Sequence, residues 1–329
     1  MAKSGDVTLH MVCPNCLHHD CITKTSDENN IVYICENCKS RIVREYATNA
    51  AIPRDVISAV GFRGHGKSVY FASLFNTFED IATLWKGFHS FAIDETSLKT
   101  VTENRQMLRQ LKLCEATLMN FPSPTVIRLS NIPSLGDRFQ LFYDVSGEAY
   151  EGASRIVRYA SFVKLSNTVL FIVSPTDMDP PGEEIHRLLS TYVQGLSELN
   201  GESKKQHLIV VLSKGDRLKH QLQRYDGIWD YLVDGGISEL KNFKMGKYIK
   251  GMKQNSRNLK KYINDELNGA QFLNFAEERF KTVDYCIISA LGAEPKGNML
   301  EARAAPKRLL DPLLWVSYRS MSPLNRMMT

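Results

Sequence analysis

The apolar positions of this chain fall into two alternating patterns: short continuous runs of strand length, and longer segments in which apolar residues recur every three or four positions. Residues 55–60, 167–173, 206–212 and 285–288 are apolar runs, each followed at once by a polar or glycine-rich turn. Residues 69–76 and 182–199 carry helical spacing between them. Segments 124–130 and 138–143 flank the turn-rich 131–137 and read as a β-hairpin, with 138–143 alternating like a half-buried strand. Strands that are apolar on both faces and separated by helices predict an α/β fold, with a mostly parallel central sheet, one antiparallel hairpin strand and helices on both faces.

Three further segments add to this frame. Residues 95–120 keep near-helical spacing through Leu98, Val101, Leu108, Leu111 and Leu118, and predict an inserted helix. Residues 217–282 form a second, longer helical insertion. Within it, 241–261 carry Lys241, Lys244, Lys247, Lys250, Lys253, Arg257, Lys260 and Lys261 with no acidic residue. On a helix, Lys250, Lys253, Arg257, Lys260 and Lys261 fall within an arc of about 100°, while Ile249, Met252, Leu259, Ile263 and Leu267 fall opposite. Such a face suits a solvated surface or an anionic partner: nucleic acid, a membrane surface or an acidic protein. Residues 306–315 read as a closing helix and 321–329 as a flexible tail.

The first 44 residues have a different character. Cys13-Pro14-Asn15-Cys16 and Cys35-Glu36-Asn37-Cys38 are two CxxC pairs separated by residues 17–34, the spacing of a four-thiolate zinc ribbon. Between them, 22–23 and 31–34 read as strands of a hairpin turning at 26–30. A segment this short buries too little core to fold alone, and metal would supply the missing stability. His18, His19 and Cys21 lie near enough to substitute as ligands but read as surface or hairpin residues. Residues 45–55 follow as a linker, and 56–320 form the larger domain.

Composition narrows the setting. The 329 residues are 43% hydrophobic and 23% charged, which excludes a disordered or fibrous chain. No apolar run is long enough to span a membrane. The first six residues lack the apolar core of a secretory signal, so a cytoplasmic protein with reduced thiols is expected. The net charge of +5 says little alone, because it conceals the basic run at 241–261.

The strand at 55–60 leads directly into Gly61-Phe62-Arg63-Gly64-His65-Gly66-Lys67-Ser68, which fits G-x-x-x-x-G-K-[ST] without mismatch. A glycine-rich turn would explain the glycines but not Lys67-Ser68 in register before a helix beginning near Val69. The pattern points to a phosphate cradle of backbone N–H groups, with Lys67 on the β- and γ-phosphates and Ser68 on Mg²⁺. Three more motifs stand at strand ends: Asp144-Val145-Ser146-Gly147 after 138–143, Ser213-Lys214-Gly215-Asp216 after 206–212, and Ser289-Ala290-Leu291 after 285–288. Each alone is an ordinary polar turn. Their order, always at a strand's C-terminal end, is the informative part.

On these motifs the stretch from Val56 to Leu291 resembles the Ras-like GTPases of the translation-factor-related class. The ribbon and the helical insertions are similar to the double-GTPase families proposed for bacterial conflict systems. The resemblance implies Mg²⁺-assisted binding of GTP and GDP. Asp144 would reach Mg²⁺ through water, Gly147 would sense the γ-phosphate, Asp216 would read the guanine edge beside the Lys214 stem, and the Ala290 N–H would meet the guanine O6. Departures from the family pattern are Glu148 in place of a water-positioning Gln, and Ser213 in place of the Asn that braces the phosphate loop. Thr125, ahead of the hairpin, is the candidate switch threonine, with Thr96 and Thr100 as weaker alternatives. Arg63 is a candidate internal arginine finger or a solvated residue.

The leading expectation is therefore a GTP-binding and GTP-hydrolysing switch with a separate effector protein, regulating a bacterial defence or signalling system. The alternatives are a zinc-ribbon adaptor for nucleic acid or protein in which nucleotide is structural, and an ATP-dependent P-loop enzyme.

Overall fold

A computed structural model of the chain describes residues 7–27, 30–114, 117, 119, 122–323 and 326. Strands β1 (Val7–Leu9), β2 (Ile22–Asp27) and β3 (Asn30–Cys35) form an antiparallel sheet in that order, with Asp27 opposite Asn30 at the hairpin end. The tip residues Glu28 and Asn29 lie outside the described residues. The segment read as a linker contains a short helix, α1 (Arg44–Thr48), whose Tyr46 and Ala47 are buried.

The larger unit begins with β4 (Arg54–Val60), followed by α2 (Lys67–Ala82), β5 (His89–Ala92), α3 (Glu95–Arg109), β6 (Thr125–Ile132) and β7 (Gly136–Tyr143). It continues through α4 (Ala153–Tyr159), β8 (Thr168–Val173), α5 (Pro181–Glu198), β9 (His207–Leu212), α6 (Lys219–Leu222), α7 (Ile228–Asp234), α8 (Met245–Asp265), α9 (Ala270–Arg279), β10 (Thr282–Ile287) and α10 (Leu310–Ser320). The strands make a seven-stranded sheet ordered β10-β9-β8-β4-β7-β6-β5. The pairs from β10 through β7 are parallel, and those from β7 through β5 are antiparallel. Every residue of β8 and β9 is buried, because helices cover both faces.

The two faces differ in what covers them. One carries α2, α8 and α10, whose buried residues include Phe71, Phe75, Ile249, Met252 and Trp315. The other carries α4, α5 and α9, and its apolar cluster also takes in Cys13, Leu17, Ile22, Tyr33, Cys35 and Tyr46. The ribbon thus shares a core with the larger unit.

Several expectations need adjustment. Strand β5 was not expected; it is a short edge with alternating exposure. The helix expected over 95–120 ends at Arg109, because Leu111 turns left-handed at φ +59° and packs with Leu113 near Leu108 and Leu300. Leu118 lies outside the described residues. The closing helix starts at Leu310 rather than at 306, since Lys307 is paired to Ser289 through two backbone bonds and Arg308 is left-handed at φ +56°. The tail expected to be flexible falls largely outside the described residues.

Helix α8 has the expected two sides. Met245, Ile249, Met252, Leu259 and Ile263 are buried, and Lys247, Lys250, Arg257 and Lys261 are exposed. Three of the basic residues are engaged within the chain: Lys253 bonds the Tyr318 hydroxyl at 2.7 Å, Lys260 pairs with Glu277, and Arg257 donates to Gln254 one turn earlier. Among the described residues, no helix is long and apolar enough to cross a membrane.

A buried ionic knot ties the far end of the sheet. Arg138 of β7 donates twice to Asp55 of β4, at 2.6 and 2.9 Å, while Gln140 and Ser317 of α10 also donate to Asp55. Burial alone would raise the Asp55 carboxyl, but Arg138, Ser317 and Gln140 outweigh it and hold the group below its ordinary value. Asp55→Ala would leave the Arg138 charge buried and unpaired, and is expected to destabilise by about 3–5 kcal/mol in urea unfolding. Because the folded carboxyl titrates lower than the unfolded one, this contribution is complete above about pH 4 and is lost as pH falls toward the folded value. Acid unfolding of wild type should follow that direction, and the Asp55→Ala variant should show less of it.

Candidate nucleotide and metal sites

The loop between β4 and α2 is shaped by close backbone approach. Gly64 and Gly66 both have φ +84°, and a Cβ on Gly61 would lie 2.2 Å from the Ile172 carbonyl oxygen in β8. Lys67 opens α2 with its side chain buried, and its Nζ donates to the carbonyls of Gly61 (2.7 Å) and Phe62 (3.0 Å). Burial pulls its pKa down to about 8 against the opposing charge of Asp144. The His65 imidazole faces inward against Phe62, and burial lowers it to about 4, so it is neutral at pH 7. What His65 offers the loop is its backbone. Ser213 donates to the His65 carbonyl at 2.8 Å and to Val173 at 3.2 Å. The serine at the position expected for Asn thus provides a brace of its own.

Three oxygens meet at the start of α2. The Ser68 and Thr117 hydroxyls are 2.7 Å apart, and Thr117 donates to Asp144 Oδ2 at 3.0 Å. Asp144 Oδ1 is closed off from solvent and has no hydrogen-bond partner among the described residues. Burial raises the Asp144 carboxyl, opposed by Ser68 and Lys67. A hydroxyl pair beside a carboxylate with one unsatisfied oxygen fits a hard divalent cation such as Mg²⁺. Thr117 was missed from the sequence because it falls within the stretch whose periodicity reads as helix. Thr125, the first residue of β6, pairs in register with Phe142 and shares a second cavity, of about 250 Å³, with Ser68, Thr117 and Asp144. The hydroxyl that joins Ser68 to Asp144 is that of Thr117. Thr96 and Thr100 lie in α3.

Gly147 presses against the phosphate loop, where a Cβ would sit 2.1 Å from Arg63 N and 2.3 Å from Phe62 C. Beyond it, Glu148 and Arg63 form an ion pair at 3.2 Å with the arginine largely exposed. The two residues singled out for chemistry therefore face each other across the loop, in a pairing worth little to stability.

At the other end, Lys214 takes φ +54° and its Nζ is 2.5 Å from Asp177, a partner the sequence did not suggest. Asp216 Oδ1 accepts from the Ser289 hydroxyl at 2.5 Å, and the Gly292 N–H donates back to that hydroxyl. The loop after Ala290 then crosses to the segment after α3: Leu113 N–H donates to Asn298 at 3.0 Å, and Leu300 N–H to Leu111 at 2.7 Å. One cavity of about 710 Å³ is lined by Gly64, Gly66, Lys67, Ser68 and Val69, by Arg63, Gly147 and Glu148, by Thr117, and by Ser213, Lys214, Asp216, Ala290 and Leu291. Gly61, His65, Thr125, Asp144 and Ser289 stand outside its lining.

In the ribbon, the Sγ atoms of Cys13, Cys16, Cys35 and Cys38 all lie within 4.8 Å of one another. Cys13–Cys38 is 3.8 Å and Cys16–Cys35 is 3.7 Å. A tetrahedron with Zn–S bonds of 2.3 Å has edges of about 3.8 Å, so the four thiols fit zinc. No cysteine is in a disulfide. Cys21 sits 3.4 Å from Cys35 but donates to the His18 carbonyl, outside the group of four. His18 bonds Asn37, and His19 is exposed. Purified protein is expected to hold one zinc per chain by elemental analysis, with the metal lost in Cys38→Ser and retained in Cys21→Ser. Loss in Cys21→Ser would place that thiol in the ligand set.

No protein-family model matches the chain. A curated relative, described as "Putative ESX-1 scaffolding and assembly protein SaeC" of Mycolicibacterium smegmatis, is 25% identical over 326 residues, covering 87% of this chain and 79% of the relative. Among solved structures, the Saccharomyces cerevisiae Ski7 GTPase-like domain bound to GDP and inorganic phosphate matches at 14% identity and TM-score 0.38, over 85% of this chain and 53% of that one. A GTP-binding protein from Sulfolobus solfataricus in complex with GDP matches at 14% identity and TM-score 0.35, over 87% and 56%. The chain spans little more than half of either of these proteins, and 26% of the bacterial selenocysteine-specific elongation factor EF-Sec. At such identity and superposition these structures carry no residue-level information.

Proposed function

We propose that the chain is a Mg²⁺-dependent GTP-binding and GTP-hydrolysing switch. The observation that carries this reading is the single cavity of about 710 Å³ into which the phosphate loop, Gly147, Thr117 and the Asp216–Ala290 region all open. Backbone N–H groups of residues 64–68 would cradle the phosphates, with Lys67 reaching the β- and γ-phosphates. Ser68, Thr117 and Asp144 would hold Mg²⁺, which when bound neutralises phosphate charge. Asp216, held through one oxygen by Ser289, has its second carboxylate oxygen for the guanine edge, and the Ala290 N–H would meet O6. Glu148 would orient water, its negative charge offset by Arg63. Hydrolysis would loosen the Thr117 and Gly147 regions and so change the surface offered to an effector protein.

The effector class is a finer matter. A regulatory role in a bacterial defence or signalling system agrees with the combination of ribbon and enlarged nucleotide domain. The description of the SaeC relative as a scaffolding and assembly protein favours a partner that is itself a protein assembly. A second reading, an adaptor in which nucleotide is structural, draws on the exposed Lys247, Lys250, Arg257 and Lys261 of α8. Salt-sensitive nucleic-acid binding that survives Lys67→Ala and is lost on charge reversal of Lys247, Lys250, Arg257 and Lys261 would favour it.

Competition binding with GTP, GDP and ATP tests the main reading. Lys67→Ala is expected to weaken GTP by at least about 10-fold, as loss of a charge-assisted bond implies. Asp216→Asn should weaken GTP and favour xanthosine triphosphate. Tight ATP binding without GTP binding overturns the guanine assignment. Thr117→Ala should raise the Mg²⁺ concentration needed for GTP binding by about 10-fold, and Thr125→Ala by much less. The reverse order in a Mg²⁺ titration would return the switch role to Thr125.

A further inference from the structure

The zinc ribbon and the strand that delivers Asp144 are joined by buried hydrogen bonds on either side of one cysteine. Tyr143, the last residue of β7, is fully buried, and its hydroxyl donates to the carbonyl of Pro14, which lies between Cys13 and Cys16. Tyr46 of α1 donates to the carbonyl of Val12 at 2.8 Å, and its ring packs on Phe139 of β7 at 5.0 Å. The two carbonyls flanking Cys13 are thus both taken by tyrosines, one belonging to β7 and the other packed on it.

Successive residues of a strand point to opposite faces, and the end of β7 uses both. Tyr143 stacks on Phe162 at 4.5 Å and meets the ribbon. Phe142, on the other face, packs edge-on against Phe71 (5.3 Å) and Phe75 (5.2 Å) of α2, the helix that begins at Lys67. Asp144 follows Tyr143 directly, and Val145 lies in the same apolar cluster as Cys13 and Cys35. Few groups separate a thiolate of the ribbon from the carboxylate of the candidate Mg²⁺ site: the Pro14 peptide, the Tyr143 side chain and one backbone step.

The ribbon strands are short, and metal held by Cys13, Cys16, Cys35 and Cys38 would give the Pro14 carbonyl a fixed position. We infer that Tyr143 is a positioning residue through which metal in the four-cysteine site sets the placement of Asp144, so that zinc and Mg²⁺–nucleotide bind cooperatively. The inference rests on the GTP-binding reading above. Cooperativity of this kind is reciprocal: whatever factor zinc adds to the affinity for Mg²⁺–GTP, Mg²⁺–GTP must add to the affinity for zinc.

The test uses the full chain and reads zinc affinity by competition with a chromogenic chelator, with and without Mg²⁺ and GTP. Zinc affinity of wild type is expected to rise at least about 5-fold when Mg²⁺ and GTP are present, the lower end of ordinary coupling. Tyr143→Phe keeps the ring and loses the hydroxyl; it should retain one zinc, lose that rise, and require about 5-fold more Mg²⁺ for GTP binding. Tyr46→Phe removes the other hydroxyl, which is not next to Asp144. It should weaken zinc while leaving the Mg²⁺ requirement unchanged. Equal effects of the two substitutions on Mg²⁺ would mean general loosening and overturn the inference. So would wild-type protein that binds GTP with a zinc affinity indifferent to it. Wild type that binds no GTP at all defeats the underlying reading instead, which keeps the two failures apart.

Discussion

A sheet covered by helices on both faces leaves polar chemistry one place to gather, at the ends of its strands. Here β4, β7, β8, β9 and β10 run parallel, so their C-terminal ends come out on the same side. Val60, Tyr143, Val173, Leu212 and Ile287 are the last residues of these strands. Directly beyond them come the phosphate loop, Asp144, the turn bearing Asp177, Ser213 and the Ser289 turn. Burial of the strands is thus what assembles the pocket, and the polar residues are positioned by the apolar ones before them. The ionic knot at Asp55 and Arg138 holds β4 and β7 together near their opposite ends, where side-chain charge could be buried only with full pairing.

The close approaches around the phosphate loop follow from the same crowding. Gly61 has Ile172 of β8 on one side, Gly147 has Arg63 and Phe62 against it, and Ser213 reaches the His65 carbonyl from β9's end. Loop shape is therefore determined from three strand ends at once. Substituting a side chain at Gly61 or Gly147 would require backbone to move, since the nearest atoms are main-chain atoms. The depressed pKa of Lys67 has its origin here too, in an ammonium buried away from water by the packed loop, although the Gly61 and Phe62 carbonyls accept its protons.

Much of this was legible in the residues alone. The runs at 167–173 and 206–212 identify central strands because every residue after the first two is apolar, and only doubly covered strands tolerate that. The G-x-x-x-x-G-K-S run and the two CxxC pairs are local patterns whose chemistry demands their spacing, and the four thiols do converge. What could not be read depends on contacts distant in sequence. Thr117 is one threonine among several until Ser68 and Asp144 stand beside it. The periodicity beyond Arg109 looks helical, yet Leu111 and Leu113 are apolar for a different reason: they pack on Leu300. Lys214 and Asp177, and likewise Tyr143 and Pro14, are pairs joined only by the fold. Strand β5 is too short and too exposed to rise above its surroundings in any pattern.

The crossing of residues 298–300 over residues 111–113 has a mechanical meaning. A loop attached only at its own ends can swing freely, but this one is also stitched in mid-course to the segment leading toward Thr117, and at its base to Ser289 through Lys307. The loop that carries Ser289 is thereby linked by backbone bonds to residues 111–113, while Thr117 meets Ser68 and Asp144 through its hydroxyl. The loop on the Ser289 side of the pocket and the segment after α3 are thus held to each other, and displacing one pulls on the other.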